Sequence, residues 1–351
     1  MRTFRLARFV PLPAVVLLLA ACGGGPQDPG EPEEDGEACP APGFGVLVGG
    51  IGGASDTSGD PVPRVVLMGG GGEDDGASTL FAEAAGGGDI VVLRASGSLT
   101  AYPDYFLTTL SPSPPPASAV SVLTTVPARA GDTAVVCRVD RAEAVWLAGG
   151  DQWDYLGGWP GELHSALTRL HDRGSAVGGT SAGAVSLGEA AFDARFGTVT
   201  SQEALQEPAG PEVSVAYPSF APDELKGVLV ESHFRERERE GRLLAFLARF
   251  LVEKGRDAVV GVGLDEGVAL VLEGDGYRVF GPPDKRVTLY RVTGPYRVTG
   301  PATVRPGSPL HLQGIERVRL APGARGAWPV EFPASGAVRL RVQSGVVKVA
   351  G

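Results

Sequence analysis

Apolar residues in this chain fall into short runs that alternate between two spacings. "PRVVLMGGGG", "DIVVLRAS" and "EAVWLAGGDQ" hold continuous apolar runs of four or five residues closed by glycine or polar clusters, the mark of strands buried on both faces, and "AVSVLTTV" also reads as a strand. Between them lie helix-like segments. "ASTLFAEAA" is one, and "GELHSALTRLHDR" puts Leu163, Ala166, Leu167 and Leu170 at the i, i+3, i+4, i+7 positions of one helical face. "GSAVGGTSAGAVSLGEAAF" predicts a strand, a sharp turn and a helix. "GRLLAFLARFLVEKG" predicts a further helix, and "DAVVGVGLDEGVALVLEG" a pair of strands. Strands alternating with helices predict an α/β fold: a mostly parallel sheet with helices on both faces, and a ligand site at the strands' carboxyl ends.

The helical spacing stops near residue 274. "YRVTGPYRVTGP" (290–301) is a tandem hexamer of strand-forming residues with Gly-Pro turns, and "VRLRVQSGVVKVAG" alternates like a hairpin. The expected organisation is therefore a main domain over 44–305 and a small β appendage over 306–351. Ahead of them, three arginines precede an apolar run from Phe9 to Ala21 that ends in Leu19-Ala20-Ala21-Cys22. This is short for a membrane span but right for a signal segment. It resembles a bacterial lipoprotein signal over 1–22, with Cys22 as the lipidated residue, and a plain secretory signal is the alternative. Residues 23–43 read as an acidic tether, because Asp28, Glu31, Glu33, Glu34, Asp35 and Glu37 occur there without a lysine or arginine. The expected location is extracytoplasmic, with membrane contact through a lipid on Cys22.

Composition narrows the function classes. A net charge of −10 argues against a nucleic-acid partner, which would need a basic face. Four scattered histidines and three cysteines offer no metal-ligand spacing, and no cofactor is expected. Beyond Cys22, Cys39 and Cys137 could pair in an oxidising compartment or remain thiols. The 52 glycines, about twice the usual share, imply many tight turns and close backbone approaches. "GGGGEDDG" has the look of a phosphate cradle, but the acids directly after it would repel an anion.

Chemistry concentrates in three places. Gly179-Thr180-Ser181-Ala182-Gly183 fits the G-x-S-x-G elbow, which presents a serine hydroxyl on a strand-to-helix turn. The amide of Ala182 is then placed to donate to an oxyanion. Among the histidines, His164 and His171 lie on the polar side of a helix and His311 in the β tail. His233 instead follows the apolar run "LKGVLV", where a strand should end. It opens "HFREREREGRL", whose like-charge i,i+4 pairs would not favour a helix, while several guanidiniums would suit a substrate carboxylate. "GVGLDEGVAL" places Asp265 and Glu266 at the end of another strand.

Taken together, "GTSAGA", "HFRERER" with "GRL", and "GVGLDE", in the chain order Ser, His, Glu, resemble the cyanophycinase and dipeptidase E group of serine peptidases. "LMGGGG", "GGDIVVLRASG" and "LAGGDQ" extend the resemblance upstream. It covers 44 to about 300. The resemblance implies a class I glutamine-amidotransferase-like, flavodoxin-like fold with serine at the elbow. It also implies Ser181 as nucleophile, His233 as general base and Glu266 as its orienting partner, with Gly150 and Ala182 as backbone oxyanion donors. Gln152, Arg237, Arg239 and Arg242 match substrate-contacting positions. Glu231-Ser232 stand where the family tends to carry Asp-Gln, so Glu231 falls on a substrate-lining position. The expected partner is a peptide or isopeptide with a free carboxylate, of aspartyl type such as β-aspartyl-arginine. A homodimer is an open alternative to a monomer. A silent binding lipoprotein and an esterase or amidase of other specificity are the competing functions.

Overall fold

A computed structural model describes residues 38–52, 56–294, 302–330 and 336–350. The signal segment with Cys22, nearly all of the tether and the second hexamer of the tandem repeat lie outside the described residues. A first strand outside the predicted runs, β1 (Val46–Ile51), is followed by strands at the predicted ones: β2 (Val65–Met68), β3 (Asp89–Arg94), β4 (Ser118–Thr124), β5 (Ala144–Leu147) and β6 (Ala176–Thr180). A two-stranded ribbon follows, β7 (Ala191–Phe192) with β8 (Val215–Ala216). The later strands are β9 (Val228–Glu231), β10 (Ala258–Leu264), β11 (Ala269–Glu273), β12 (Gly276–Phe280), β13 (Val287–Thr293) and β14 (Ala302–Thr303). β15 (His311–Leu320), β16 (Arg325–Ala327), β17 (Val338–Gln343) and β18 (Val346–Val349) complete the set.

One sheet has the order β1-β4-β3-β5-β6-β2-β11-β12-β16. Its five central strands, β4 through β2, run parallel, and antiparallel strands extend it on both sides. The central strands are buried along nearly their whole length because each side of the sheet is covered. Val65, Leu67, Val91, Leu93, Val145 and Leu147 pack with Leu163, Leu167 and Leu170 of helix Gly161–Asp172 and with Val135 and Val139 of helix Thr133–Arg141. The alternate residues Val66, Met68, Ile90, Val92 and Trp146 face Phe81 and Ala82 of helix Asp75–Glu83. This is the α/β architecture with helices on both faces.

A second sheet, ordered β18-β17-β15-β13-β10-β9, carries the other half of the site. Helix Glu240–Glu253 is apolar almost all round because it is enclosed. Leu243, Leu244, Phe246, Leu247, Phe250 and Leu251 are buried against this sheet and the β7–β8 ribbon. The β character expected after residue 305 is present, but these strands are built into both sheets rather than appended. β15 pairs with β13 over six positions, and β16 continues the first sheet from β12. The reason is burial: Leu312, Ile315, Leu340 and Val342 complete the core around the enclosed helix. Trp328 packs in the first core and donates its indole N–H to the Glu224 carbonyl at 2.8 Å. Residues 290–293 of the first hexamer are strand, as their types predict, at the end of β13. Cys39 and Cys137 form a disulfide across 98 residues of sequence. Closing a loop of that length contributes about 4–5 kcal/mol in the chain-entropy account.

Candidate active site

The parallel strands deliver their carboxyl ends to one edge of the first sheet, and three of them matter there. β2 ends in Gly69-Gly70-Gly71, β5 in Ala148-Gly149-Gly150, and β6 in Ser181. From the second sheet, the parallel pair β9 and β10 ends in His233 and in Asp265-Glu266. Backbone bonds sew these ends together. Ser181 N donates to the Met68 carbonyl at 3.0 Å, His233 N to the Gly69 carbonyl at 2.9 Å, and Gly267 N to the Gly70 carbonyl at 2.8 Å.

Ser181 sits at φ 51, ψ −117 between β6 and the short helix Ala182–Val185. A non-glycine residue there is strained by about 1–3 kcal/mol, which only a well-determined surrounding can hold. Its neighbours must be small. A Cβ on Gly179 would lie 2.7 Å from the Gly183 backbone, and one on Gly183 would collide with the Leu147 carbonyl. Ser181 Oγ lies 2.8 Å from His233 Nε2, and His233 Nδ1 lies 2.6 Å from Glu266 Oε1. With His233 neutral and its proton on Nδ1, the carboxylate accepts from Nδ1 and Nε2 is free to accept from the serine. His233 is itself at φ 47 and 8% exposed.

Burial is the main cause that lowers the His233 pKa below the ordinary imidazole value. The hydrogen bond to Glu266 opposes it, and the cations of Arg237 and Arg239 add to it. The ring is therefore a neutral base at pH 7. Activity is expected to fall on the acid side through a pKa below about 6.5. Removing a cation in Arg237→Gln should move that limb up toward 6.5, read as the pH dependence of Ser181 modification by a phosphonate; an unmoved limb would refute the assignment. The folding linkage has the same sign. The unfolded state binds the proton first, so this contribution to stability is present above about pH 6.5 and is lost as pH falls through the depressed folded-state pKa.

The two acids of "LDEG" divide their work. Asp265 is 2% exposed and accepts from the backbone N–H groups of Arg286 at 2.9 Å and Arg235 at 3.3 Å, tying two loops together. Glu266 alone turns to the imidazole. The amides of Ala182 and Gly150 have no other acceptor among the described residues, and Gly149 brings the β5 loop close, since a Cβ there would lie 3.4 Å from Ser181 Cβ. Gln152 begins helix Gln152–Leu156 and donates to the Phe192 carbonyl at 3.3 Å. The other histidines are apart: His171 lies near Glu224, His164 is packed near Trp159, and His311 starts β15.

The arginines differ most from expectation. Residues 232–239 form turns, and the helix starts only at Glu240. Arg242 is 2% exposed and grips Glu231 through Nε (2.9 Å) and Nη2 (2.7 Å), with its guanidinium over the Phe192 ring. Arg239 gives Nη1 to the same carboxylate at 2.9 Å and to the Ser232 carbonyl at 2.8 Å. Burial pulls the Arg239 pKa down to about 10, still charged at neutral pH. Glu231 and Arg242, expected at substrate-contacting positions, face inward as a buried ion group; two guanidiniums so close need a carboxylate between them. Arg237 remains exposed.

Two further features escaped the sequence reading. The glycines after β2 are the floor of the site. A Cβ on Gly70 would lie 2.5 Å from His233 Cε1, 2.6 Å from Nε2 and 3.0 Å from Ser181 Cβ, and one on Gly71 would lie 2.8 Å from Glu266 Cβ. Gly70→Ala, at φ 81, should cost about 10²-fold in turnover by displacing the imidazole. The check is kcat beside an unchanged circular dichroism spectrum; a variant with unchanged turnover would show that the ring has room to spare. The four-glycine run was the available signal, since so many glycines at one strand end imply close approach. The second feature is Arg195, whose guanidinium lies 5.5 Å over Trp153 and 5.0 Å over Phe196, all exposed beside Gln152. No local pattern joins Arg195 to Trp153.

No family model and no curated protein matches the chain. Among solved structures, the chain is similar to a peptidase from an acI-B1 Actinobacterium, at 15% identity and a TM-score of 0.46, over 77% of this chain and 99% of that one. It is also similar to a candidate peptidase E from Listeria monocytogenes EGD-e, at 11% identity and a TM-score of 0.39, over 62% of this chain and 98% of that one.

Proposed function

We propose that this chain is a serine peptidase acting on short peptides or isopeptides that carry a free carboxylate. The observation that supports it most is the hydrogen-bonded row Glu266–His233–Ser181, ending on a serine held at positive φ. In this reading Ser181 Oγ attacks the amide carbonyl carbon while its proton passes to His233 Nε2. The oxyanion is received by the amides of Ala182 and Gly150. Glu266 stabilises the imidazolium, which then protonates the leaving amine as the C–N bond breaks. Water, deprotonated by His233, attacks the resulting acyl-serine and frees the second product.

Specificity in this reading comes from cations at the mouth. With Arg242 committed to Glu231, the clamp for the substrate carboxylate falls to Arg237 and to Arg195, whose planar fork is held by two aromatic rings with its edges exposed. Aspartyl-type dipeptides, β-aspartyl-arginine among them, fit such a clamp. A lipid on Cys22 would hold the enzyme outside the cytoplasm. The test is hydrolysis of α- and β-aspartyl dipeptides followed by mass spectrometry, beside labelling by a serine-directed phosphonate. Cleavage of aspartyl dipeptides, lost on amidating their carboxylates, supports the whole reading. Labelling with cleavage of neutral esters or amides alone would favour the esterase or amidase. Absence of labelling would favour a silent binding protein.

A further inference from the structure

An opening that the catalytic row does not use lies behind the His233 loop, between that loop and the second sheet. It is a half-open cavity of about 580 Å³, within the size range of small-molecule sites. Phe234, Tyr290, Leu205 and Val347 give it an apolar lining, and its charged lining is unevenly compensated. Five of the charged groups are committed within the fold. Arg235 pairs with Asp284 at 3.2 Å, and Asp265 accepts backbone N–H groups. Glu240 accepts from Tyr290 and Arg317, each at 2.7 Å, and Arg239 holds Glu231.

Three charges are left over. Among the described residues the Arg286 guanidinium donates only to the neutral carbonyls of Pro283 and Lys285, at 2.6 Å each. Arg319 and Glu238 have no ion pair among the described residues. Arg319 stands opposite Thr288 in the β13–β15 register, and Arg286 is two residues before Thr288 on the same side. Both arginines line the cavity, Arg286 from just before β13 and Arg319 from the neighbouring strand β15. Two like charges on one wall do not stabilise each other, so the pair is not explained by an attraction between them. Glu238, held at φ 49 with its carbonyl accepting from Ser201 Oγ at 2.5 Å, supplies one negative charge from the facing loop.

Two cations on one wall and one anion on the other are the complement of a molecule with two carboxylates and one ammonium. We propose that this cavity binds an acidic α-amino acid, with its carboxylates at Arg286 and Arg319 and its ammonium at Glu238. The site stands apart from Ser181 and does not depend on the peptidase reading.

The experiment is a calorimetric titration of the full chain with L-aspartate, and with succinate, which lacks the ammonium. Saturable 1:1 binding of aspartate is expected. Arg319→Gln, an exposed strand position, should weaken it about tenfold or more, as for a lost charge-assisted bond. Glu238→Gln should abolish the preference for aspartate over succinate. Arg237→Gln, which lies outside the cavity, should leave binding unchanged. A thermal melt of each variant checks that it is folded. No saturable binding would overturn the proposal, as would binding that survives Arg319→Gln at full affinity. Binding lost in Arg237→Gln but kept in Arg319→Gln would also overturn it, by moving the ligand to the catalytic cleft.

Discussion

Ser181→Ala will abolish phosphonate labelling and lower peptide turnover by roughly 10³-fold or more, the scale expected when the nucleophile of a cooperating set is removed. The loss should fall on kcat, because Oγ bonds His233 at 2.8 Å and makes no other side-chain hydrogen bond among the described residues. Stability should change by no more than about 1 kcal/mol, the net worth of one neutral hydrogen bond. Alanine inherits the positive φ, so the elbow strain is not relieved. Rates followed by mass spectrometry beside a thermal melt separate these effects. Turnover equal to that of the wild type would remove Ser181 from the chemistry.

Glu231→Gln will destabilise the fold by about 3–5 kcal/mol, because it leaves two guanidiniums facing one neutral amide in the interior. Glu231 is 1% exposed and accepts from Arg242 at 2.7 and 2.9 Å and from Arg239 at 2.9 Å. It is also the last residue of β9, two positions before His233. Turnover should therefore fall together with stability as the histidine turn loosens. The double variant Glu231→Gln/Arg242→Met should recover part of the loss, since an apolar side chain of similar length removes the uncompensated charge. Urea denaturation gives the comparison. A single variant as stable as the wild type would mean that water reaches these arginines.

How much of this was legible depended on the range of the cause. The apolar runs around Val65–Met68, Asp89–Arg94 and Ala144–Leu147 predicted the parallel strands, because burial on both faces writes itself into every residue of a run. Ser181, His233 and Glu266 were legible as candidates because each follows a strand in a recognisable setting. Glu231, Arg239 and Arg242 were not legible as a buried group, since a run of charges gives no sign of which side chains turn inward. Their inward turn follows from a loop that delays the helix to Glu240 and from the aromatic face of Phe192.

By itself the sequence determined the α/β alternation, the elbow at Ser181 and the residue types able to serve it, because these rest on local spacing and backbone sterics. Tertiary structure alone decided that β9 and β10 belong to a second sheet, that the strands after residue 305 extend both sheets, and that Gly70 lies under the imidazole. It also decided which arginines are committed and which are exposed. Those outcomes depend on contacts between segments tens of residues apart, where burial and charge are balanced across the whole fold and no local pattern records the partner.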